Sequence, residues 1–127
     1  MRPFREHSLL ASLVAYVAAG FAHNVHNAEY LGDYPGMPRW LSPMLVYGGW
    51  LAATAVGFAG YALFQRGSRI LGGALVALYA AYGLYSLGHY AVAPFSAHTT
   101  AMNVTILLDV GTALFLLLSL AWTARSS

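Results

Sequence analysis

The sequence contains no cysteine and no lysine, and it carries few charges of either sign. The absence of cysteine excludes disulfides, thiolate metal sites, iron–sulfur clusters and cysteine nucleophiles. Charged residues make up only 8% of the 127 residues, whereas hydrophobic residues make up 59%. In a water-soluble domain roughly one-quarter of the residues are charged. Because this chain cannot cover a surface that faces water, we expect it to lie in a lipid bilayer.

The low charge also restricts the binding partners. The formal net charge is +2, and the six arginines and four acidic residues are dispersed along the chain. Domains that bind nucleic acids concentrate their basic residues on one face. We therefore expect the lipid bilayer as a partner and no nucleic acid. The length of 127 residues suits one compact domain and is too short for two.

Four apolar runs are long enough to cross a bilayer, which takes roughly 20 residues. They cover about residues 8–28, 44–65, 70–93 and 100–123. Short connections join the second run to the third and the third to the fourth, which favours antiparallel neighbours. The sequence therefore predicts an all-α fold, a single four-span transmembrane domain over residues 1–127 that forms an up-down-up-down bundle.

The placement of the arginines predicts the orientation of the bundle. Five of the six flank the same side of the predicted spans: Arg2, Arg5, Arg66, Arg69 and Arg125. Basic residues accumulate on the cytoplasmic side of membrane proteins. We therefore expect both termini in the cytoplasm, in the inner membrane of a bacterial cell.

The first apolar run has a second interpretation. Two N-terminal arginines, an apolar run and the sequence Gly20-Phe21-Ala22 resemble a secretory signal peptide with a small-residue cleavage site. Cleavage after Ala22 would leave His23 as a new N-terminus that could chelate copper. The apolar run continues through Ala28, however, and uncleaved runs of this length more often span the membrane. We therefore expect a membrane span.

Four histidines near one edge of the predicted bundle are candidate metal ligands: His23, His26, His89 and His98. Ionisable groups at this position are costly and frequently functional. Imidazole binds zinc, iron and copper(II), and two histidines come from each predicted hairpin, so we expect a site with three or four ligands. The alternatives are axial haem ligation by His23 and His89, or histidines that only satisfy buried polar groups.

Two carboxyl groups are the candidates for acid–base catalysis, Glu29 and Asp109. Glu29 follows His26 by three residues, so both share a helix face. Asp109 lies about 16 Å along the helix from His98, which is too far for one mononuclear site. A charge in the middle of a membrane costs about 2.5 kcal/mol or more. Asp109 is therefore either protonated, hydrogen-bonded to a tyrosine such as Tyr82, or used as a proton acceptor.

Tyr82 and Asn103 are candidates for contact with a cofactor or ligand. Tyr82 belongs to a line of polar side chains in the third span, and Asn103 lies one turn further into the fourth span than the histidines. Polar groups in lipid turn toward the inside of a bundle, where they find partners. We expect Asn103 to orient the histidines.

The segment His26-Asn27-Ala28-Glu29-Tyr30 resembles the motif of the HXXEE family of small bacterial membrane proteins. Those proteins have four predicted helices, with the motif near the end of the first. His26 and Glu29 match the motif, whereas Tyr30 replaces the second glutamate. The family is uncharacterised, and the resemblance implies a four-helix membrane fold with a suspected enzymatic role.

The leading functional prediction is a small integral membrane protein with an outward-facing His/Glu site. This site would bind a metal ion (zinc, iron or copper) or act on a small lipophilic substrate. The competing prediction is a non-catalytic subunit of a larger respiratory or photosynthetic membrane complex. Small residues at four-residue spacing, Gly49, Ala53 and Gly57, would serve close packing within the bundle or in a homo-oligomer.

Overall fold

The computed structural model describes residues 2–125, with the side chains of residues 7–125, and in this range the chain has no β-strand. The fold is 82% helical. Helix α1 covers Arg2–Glu29, α2 covers Pro43–Gln65, α3 covers Arg69–Leu84, α4 covers Gly88–Val92 and α5 covers Thr100–Ala124. A 3-10 turn joins α3 to α4, so the two form one helical segment. The described range thus holds four helical segments that are long and apolar enough to cross a membrane, which confirms the all-α prediction.

Capping residues fix where two of the helices begin. Ser42 precedes α2 in an extended conformation, and its hydroxyl accepts from the Leu45 amide, while Pro43 takes the first helical position. Thr99 has the same role before α5, where its Oγ1 accepts from the Met102 amide over 3.2 Å. These caps satisfy backbone donors that have no partner within the helix.

The 3-10 turn Tyr85–Leu87 interrupts the third span. Such a turn tightens the backbone within a helix and often marks a functional site. Ser86 lies in this turn and is buried, and its hydroxyl donates to Oδ2 of Asp109 over 2.7 Å. The interruption therefore places a serine hydroxyl against the carboxyl group of α5.

The helices form a ring, because α1 and α3 each pack against both α2 and α5. Most of the fully buried apolar residues come from about the first halves of α1 and of the third span (Arg69–Val92) and from the second halves of α2 and α5. They are Leu9, Leu13, Tyr16, Phe64, Val76, Tyr79, Ala80, Ala113, Leu116 and Leu120. We call this end of the bundle the closed half.

Glycines allow the closest approach of backbones in the closed half. A Cβ on Gly72 would overlap the backbone nitrogen of Phe64 and lie 2.6 Å from the carbonyl oxygen of Gly60. A Cβ on Gly60 would lie 2.8 Å from the backbone nitrogen of Val76. Helices α2 and α3 can pack at this distance only because neither glycine carries a side chain.

The opposite end of the bundle, which we call the open half, holds most of the predicted site residues. It comprises the end of α1, the loop 30–42, the start of α2, the end of the third span and the start of α5. A smaller apolar cluster supports it, formed by Tyr34, Met102, Ile106 and Val110. The loop contributes Tyr34 to this cluster, so the loop packs down onto α5.

Candidate functional site

A cavity of about 550 Å³ lies in the open half between α1, α2 and the third span, beneath the loop 30–42. Its polar lining comes from α1 and the third span: His23, Asn24, Asn27, Tyr82, Ser86 and His89. Its apolar and aromatic lining comes mainly from the loop and α2, and includes Met37, Trp40, Leu41, Leu45, Val46 and Tyr85. A cavity of this size and composition accommodates a small organic molecule.

A second depression, of about 770 Å³, runs along the first turns of α2 between Ser42 and Leu51. Its lining is almost wholly apolar and comes from this one segment of the chain. A depression on a single helix cannot converge several polar groups on a ligand, as binding sites do. The cavity between the helices is therefore the candidate site, although the depression is larger.

The rings of the four predicted metal ligands lie near one another in the open half. The ring centroids of His23 and His89 are 5.4 Å apart, and those of His89 and His98 are 6.1 Å apart, both in edge-on contact. His26 is separated from this row by Tyr34, whose ring lies 5.8 Å from His26 and 5.0 Å from His89. The end of α1 and the segment 89–98, which carry the histidines, thus meet, with Tyr34 between His26 and His89.

These contacts do not amount to a metal centre. Within the described residues, no three histidine, aspartate or glutamate side chains come together in a way that could hold an ion. The predicted site with ligands His23, His26, His89 and His98 therefore has no support in the geometry. The alternative of a haem between His23 and His89 lacks support too, because rings in direct edge contact leave no space for a porphyrin.

Hydrogen bonds define which nitrogen carries the proton in two of the rings. The Pro94 carbonyl only accepts, so Nδ1 of His98 donates to it over 3.0 Å and Nε2 keeps a lone pair. Nδ1 of His23 lies 3.4 Å from Oγ1 of Thr105, which itself donates to the Met102 carbonyl. Nδ1 of His23 therefore donates as well, and Nε2 of His23 also keeps its lone pair.

The two predicted catalytic carboxyl groups lie in different surroundings. Glu29 is exposed and accepts from the Tyr47 hydroxyl over 2.7 Å, outside the cavity lining. Asp109 is 1% exposed and accepts from Ser86, so its partner is a serine and not one of the predicted tyrosines. Oδ1 of Asp109 is buried and has no hydrogen-bond partner in the described part of the chain. Of the two carboxyl groups, only Asp109 is therefore linked to the cavity, through its bond with Ser86 in the lining.

A buried donor without a partner lies close to Asp109. The indole Nε1 of Trp50 is buried and finds no hydrogen-bond acceptor among residues 2–125. A Cβ on Gly20 would lie 3.2 Å from Oδ1 of Asp109 and 3.3 Å from Nε1 of Trp50. Oδ1 of Asp109 and Nε1 of Trp50 are therefore at most 6.5 Å apart, the sum of 3.2 and 3.3 Å. Both atoms lie next to Gly20, below the cavity.

Tyr82 lines the cavity, as a ligand-contacting residue would. Its hydroxyl donates to Oδ1 of Asn24 over 3.1 Å, and Nδ2 of Asn24 donates to the Gly20 carbonyl over 2.8 Å. Since that carbonyl only accepts, the orientation of the Asn24 amide is fixed. Tyr82 is thereby held against α1 with its oxygen at the cavity wall.

Asn103 lies outside the cavity lining and contacts backbone instead of imidazole rings. Its Oδ1 accepts from the Tyr90 hydroxyl over 2.8 Å, and its Nδ2 donates to the carbonyls of Phe95 and His98. Asn103 therefore positions the connection before α5. Asn103 bonds to the main chain of His98, whereas the His98 ring bonds to the Pro94 carbonyl.

Two residues of the site did not stand out from the sequence as candidates, Tyr34 and Ser86. Tyr34 is 3% exposed although it lies in a loop, and burial raises the pKa of its phenol. The available signal is a large aromatic residue between Asp33 and Pro35, where the neighbours are typical turn residues. For Ser86 the signal is its spacing of three residues from His89, which places both on one helix face.

No protein-family model, curated protein or solved structure matches this chain. The resemblance to the HXXEE family at His26 and Glu29 therefore stays a prediction, and conclusions on function depend on the geometry of the open half.

Proposed function

We propose that the protein is a membrane protein whose open-half cavity binds a small lipophilic molecule. The observation that carries the proposal is the cavity itself, which places polar groups of α1 and the third span opposite apolar and aromatic groups of the loop and α2. Sites for small molecules combine a mostly apolar lining with a few polar groups that orient the ligand. The cavity thus suits a molecule with an apolar body and one polar end.

The lining indicates how such a molecule would enter. Leu45 and Tyr85 line the cavity, belong to candidate spans and are 53% and 81% exposed. The cavity therefore reaches the outer surface of the bundle within the depth of the proposed membrane. A lipophilic molecule could pass from the bilayer into the cavity without crossing water.

The proposed topology is up-down-up-down in a bacterial inner membrane. Alternating helix directions are supported by the closed half, where the first halves of α1 and of the third span meet the second halves of α2 and α5. The arginine bias places this half and both termini toward the cytoplasm. The open half and its cavity would then face outward.

Cysteine labelling tests this orientation, because the chain itself has no cysteine. Ser68→Cys, before α3, and Ser96→Cys, before α5, introduce thiols at two exposed positions at opposite ends of the bundle. A membrane-impermeant maleimide should label Ser96→Cys in intact spheroplasts and Ser68→Cys only after lysis. The reverse pattern would invert the orientation, and equal labelling of both in intact cells would reject the spanning arrangement.

Filling the cavity tests the binding function. Gly88 lines the cavity, and a Cβ there meets no described atom within 4 Å, so Gly88→Leu should occupy part of the space without moving the backbone. Gly111→Leu is the matched control, because the Cβ position of Gly111 is equally open but lies outside the lining. Both variants should fold, and only Gly88→Leu should lose binding.

Tryptophan fluorescence provides the measurement. Trp40 lines the cavity, and Trp50→Phe with Trp122→Phe leaves it as the single reporter of the three tryptophans. Decanol brominated at its chain end should quench Trp40 saturably in this background and with Gly111→Leu. Quenching should weaken at least about tenfold with Gly88→Leu, as lost occupancy of a small-molecule site requires. Equal quenching in both glycine variants would refute the binding function.

A further inference from the structure

We infer that the cavity selects a hydrogen-bond-donating cationic head group, that of a lipophilic amine, with Asp109 as the counter-charge behind Ser86. The inference rests on the proposed function, because it names the chemistry of the molecule that occupies the same cavity. It follows from which hydrogen-bonding atoms of the lining are already used within the protein.

Two hydroxyl groups of the cavity wall, those of Ser86 and Tyr82, have their protons engaged. Ser86 donates to Asp109 over 2.7 Å, and Tyr82 donates to Asn24 over 3.1 Å. A hydroxyl has one proton and two acceptor lone pairs. What Ser86 and Tyr82 offer to a ligand is therefore an accepting oxygen.

Two further groups of the lining are acceptors. Nε2 of His23 keeps its lone pair, because Nδ1 donates to Thr105. Oδ1 of Asn27 is buried, on a side chain that is 7% exposed, and has no partner among the described residues. A buried carbonyl oxygen without a hydrogen bond is destabilising, so a donor from a ligand would stabilise it. Ser86, Tyr82, His23 and Asn27 thus each contribute an acceptor to the polar side of the cavity.

This inventory discriminates between classes of head group. No arginine belongs to the described cavity lining, so a carboxylate or phosphate would meet lone pairs without a balancing cation. An ammonium group has three donors and no acceptor, and therefore matches these four acceptors. The aromatic rings of Trp40, Tyr82 and Tyr85 add to this preference, since the faces of such rings attract cations.

Asp109 supplies the charge that a cation requires at this depth. A cation that donates to Ser86 would lie about 5 Å from the carboxyl group, the length of two hydrogen bonds. In a medium of low dielectric constant, opposite charges at this distance attract strongly. Oδ1 of Asp109 has no partner of its own in the described structure. Asp109 is therefore the group whose charge a bound cation would balance, with Ser86 between them.

Three probes with the same chain test the inference: decylamine, decanol and decanoate. Each is titrated at neutral pH, in a non-ionic detergent, against the brominated decanol that quenches Trp40. Decylamine should displace it at a concentration at least about tenfold lower than decanol, and decanoate should be the weakest. Equal displacement by amine and alcohol, or a preference for decanoate, would overturn the inference while the cavity still binds decanol.

Two variants test the assigned role of Asp109. Asp109→Asn keeps the size of the side chain and its contact with Ser86, and should remove most of the amine preference with less than about a twofold change for decanol. Glu29→Gln is the control, because it removes a carboxyl group that lies outside the lining and should keep the preference. An amine preference that survives Asp109→Asn would overturn this role.

Ser86→Ala provides a second measurement if Asp109→Asn fails to fold. It leaves the carboxyl group in place and removes the hydroxyl between cation and carboxyl, so the amine preference should fall while decanol binding persists. An unchanged preference would contradict the link through Ser86. If none of the three probes displaces the quencher, and the quencher itself fails to bind, the proposed function fails together with the inference.

Discussion

The two halves of the bundle provide different acceptors for most of their buried hydroxyls. In the closed half, the hydroxyls of Ser12, Tyr16 and Thr123 donate to backbone carbonyls, those of Ser12 and Thr123 within their own helices. In the open half, Ser86 and Tyr82 donate to side chains of other helices. A hydroxyl that is satisfied within its own helix leaves the contact with neighbouring helices apolar and close. A hydroxyl that donates to a side chain of another helix requires that side chain at a fixed distance.

The difference extends to atoms that lack partners. In the described range, the buried side-chain nitrogens and oxygens without a hydrogen bond are Oδ1 of Asn27, Nε1 of Trp50, Nε2 of His98 and Oδ1 of Asp109. All four belong to the open half or to the floor below its cavity. Native proteins keep such atoms few, and their concentration marks a place where function opposes stability. The closed half therefore stabilises the fold, which leaves the open half free to hold a cavity.

The largest effect on stability should come from a methyl group added in the closed half. Gly72→Ala would push α2 and α3 apart, because its Cβ overlaps the Phe64 backbone, and should lower the free energy of unfolding by about 3 kcal/mol. Gly73→Ala is the control, since its nearest neighbours lie 3.8 Å away and alanine favours helix. Unfolding curves in detergent provide the measurement. Equal stability of the two variants would mean that backbone contact does not stabilise the closed half.

A smaller loss should follow from Asn103→Ala in the open half. Its side chain makes three hydrogen bonds, to the Tyr90 hydroxyl and to the carbonyls of Phe95 and His98. Removal of all three should cost about 2 kcal/mol, because two carbonyls and a phenol lose their partner. Tyr90→Phe removes one of these bonds and should cost about 1 kcal/mol.

Hydrogen exchange of the backbone amides measures where Asn103→Ala acts. The amides of residues 97 and 98, which bond within the connection before α5, should exchange faster, while those of the closed half should not change. Faster exchange throughout the bundle would show that the two halves unfold as one unit. That outcome would contradict the division of the bundle into a closed half that stabilises the fold and an open half that holds the cavity.

The helices are predictable from the sequence, but the interruption in the third span is not. Apolar runs bounded by proline and arginine have few alternatives to a long helix in lipid. The 3-10 turn Tyr85–Leu87 has no proline or glycine within it, and its residues continue the apolar pattern on both sides. Within the turn, Ser86 makes a tertiary contact, its bond to Asp109 of α5. Sequence patterns do not contain that contact.

The sequence predicts how far along the helices the site residues lie, but not the direction in which their side chains point. The common depth of His23 and His89 follows from the lengths of their helices, and their rings are 5.4 Å apart. Whether Glu29 points toward them depends on the rotation of α1, which a spacing of three residues constrains only to a broad face. Packing rotates Glu29 outward to Tyr47 and inserts Tyr34 between His26 and His89. These two details explain why the described residues give no geometric support to the predicted metal centre.

The smallest effect should come from Tyr34→Phe, which separates the contribution of the ring from that of the hydroxyl. The hydroxyl forms a hydrogen bond with Nδ1 of His26 over 2.9 Å, whereas the ring contacts His89 and the apolar cluster on α5. Because His26 is only partly buried and water can replace the phenol, the loss should be about 0.5 kcal/mol.

Tyr34→Ala is the matched variant for the ring, and it should destabilise the protein several times more than Tyr34→Phe in the same unfolding measurement. The reason is that a ring 3% exposed supports the loop above the cavity by packing. If Tyr34→Phe instead costs as much as Asn103→Ala, hydrogen bonds and not packing hold the loop. The open half would then be as firmly bonded as the closed half is packed, and a ligand would have to break those bonds to enter.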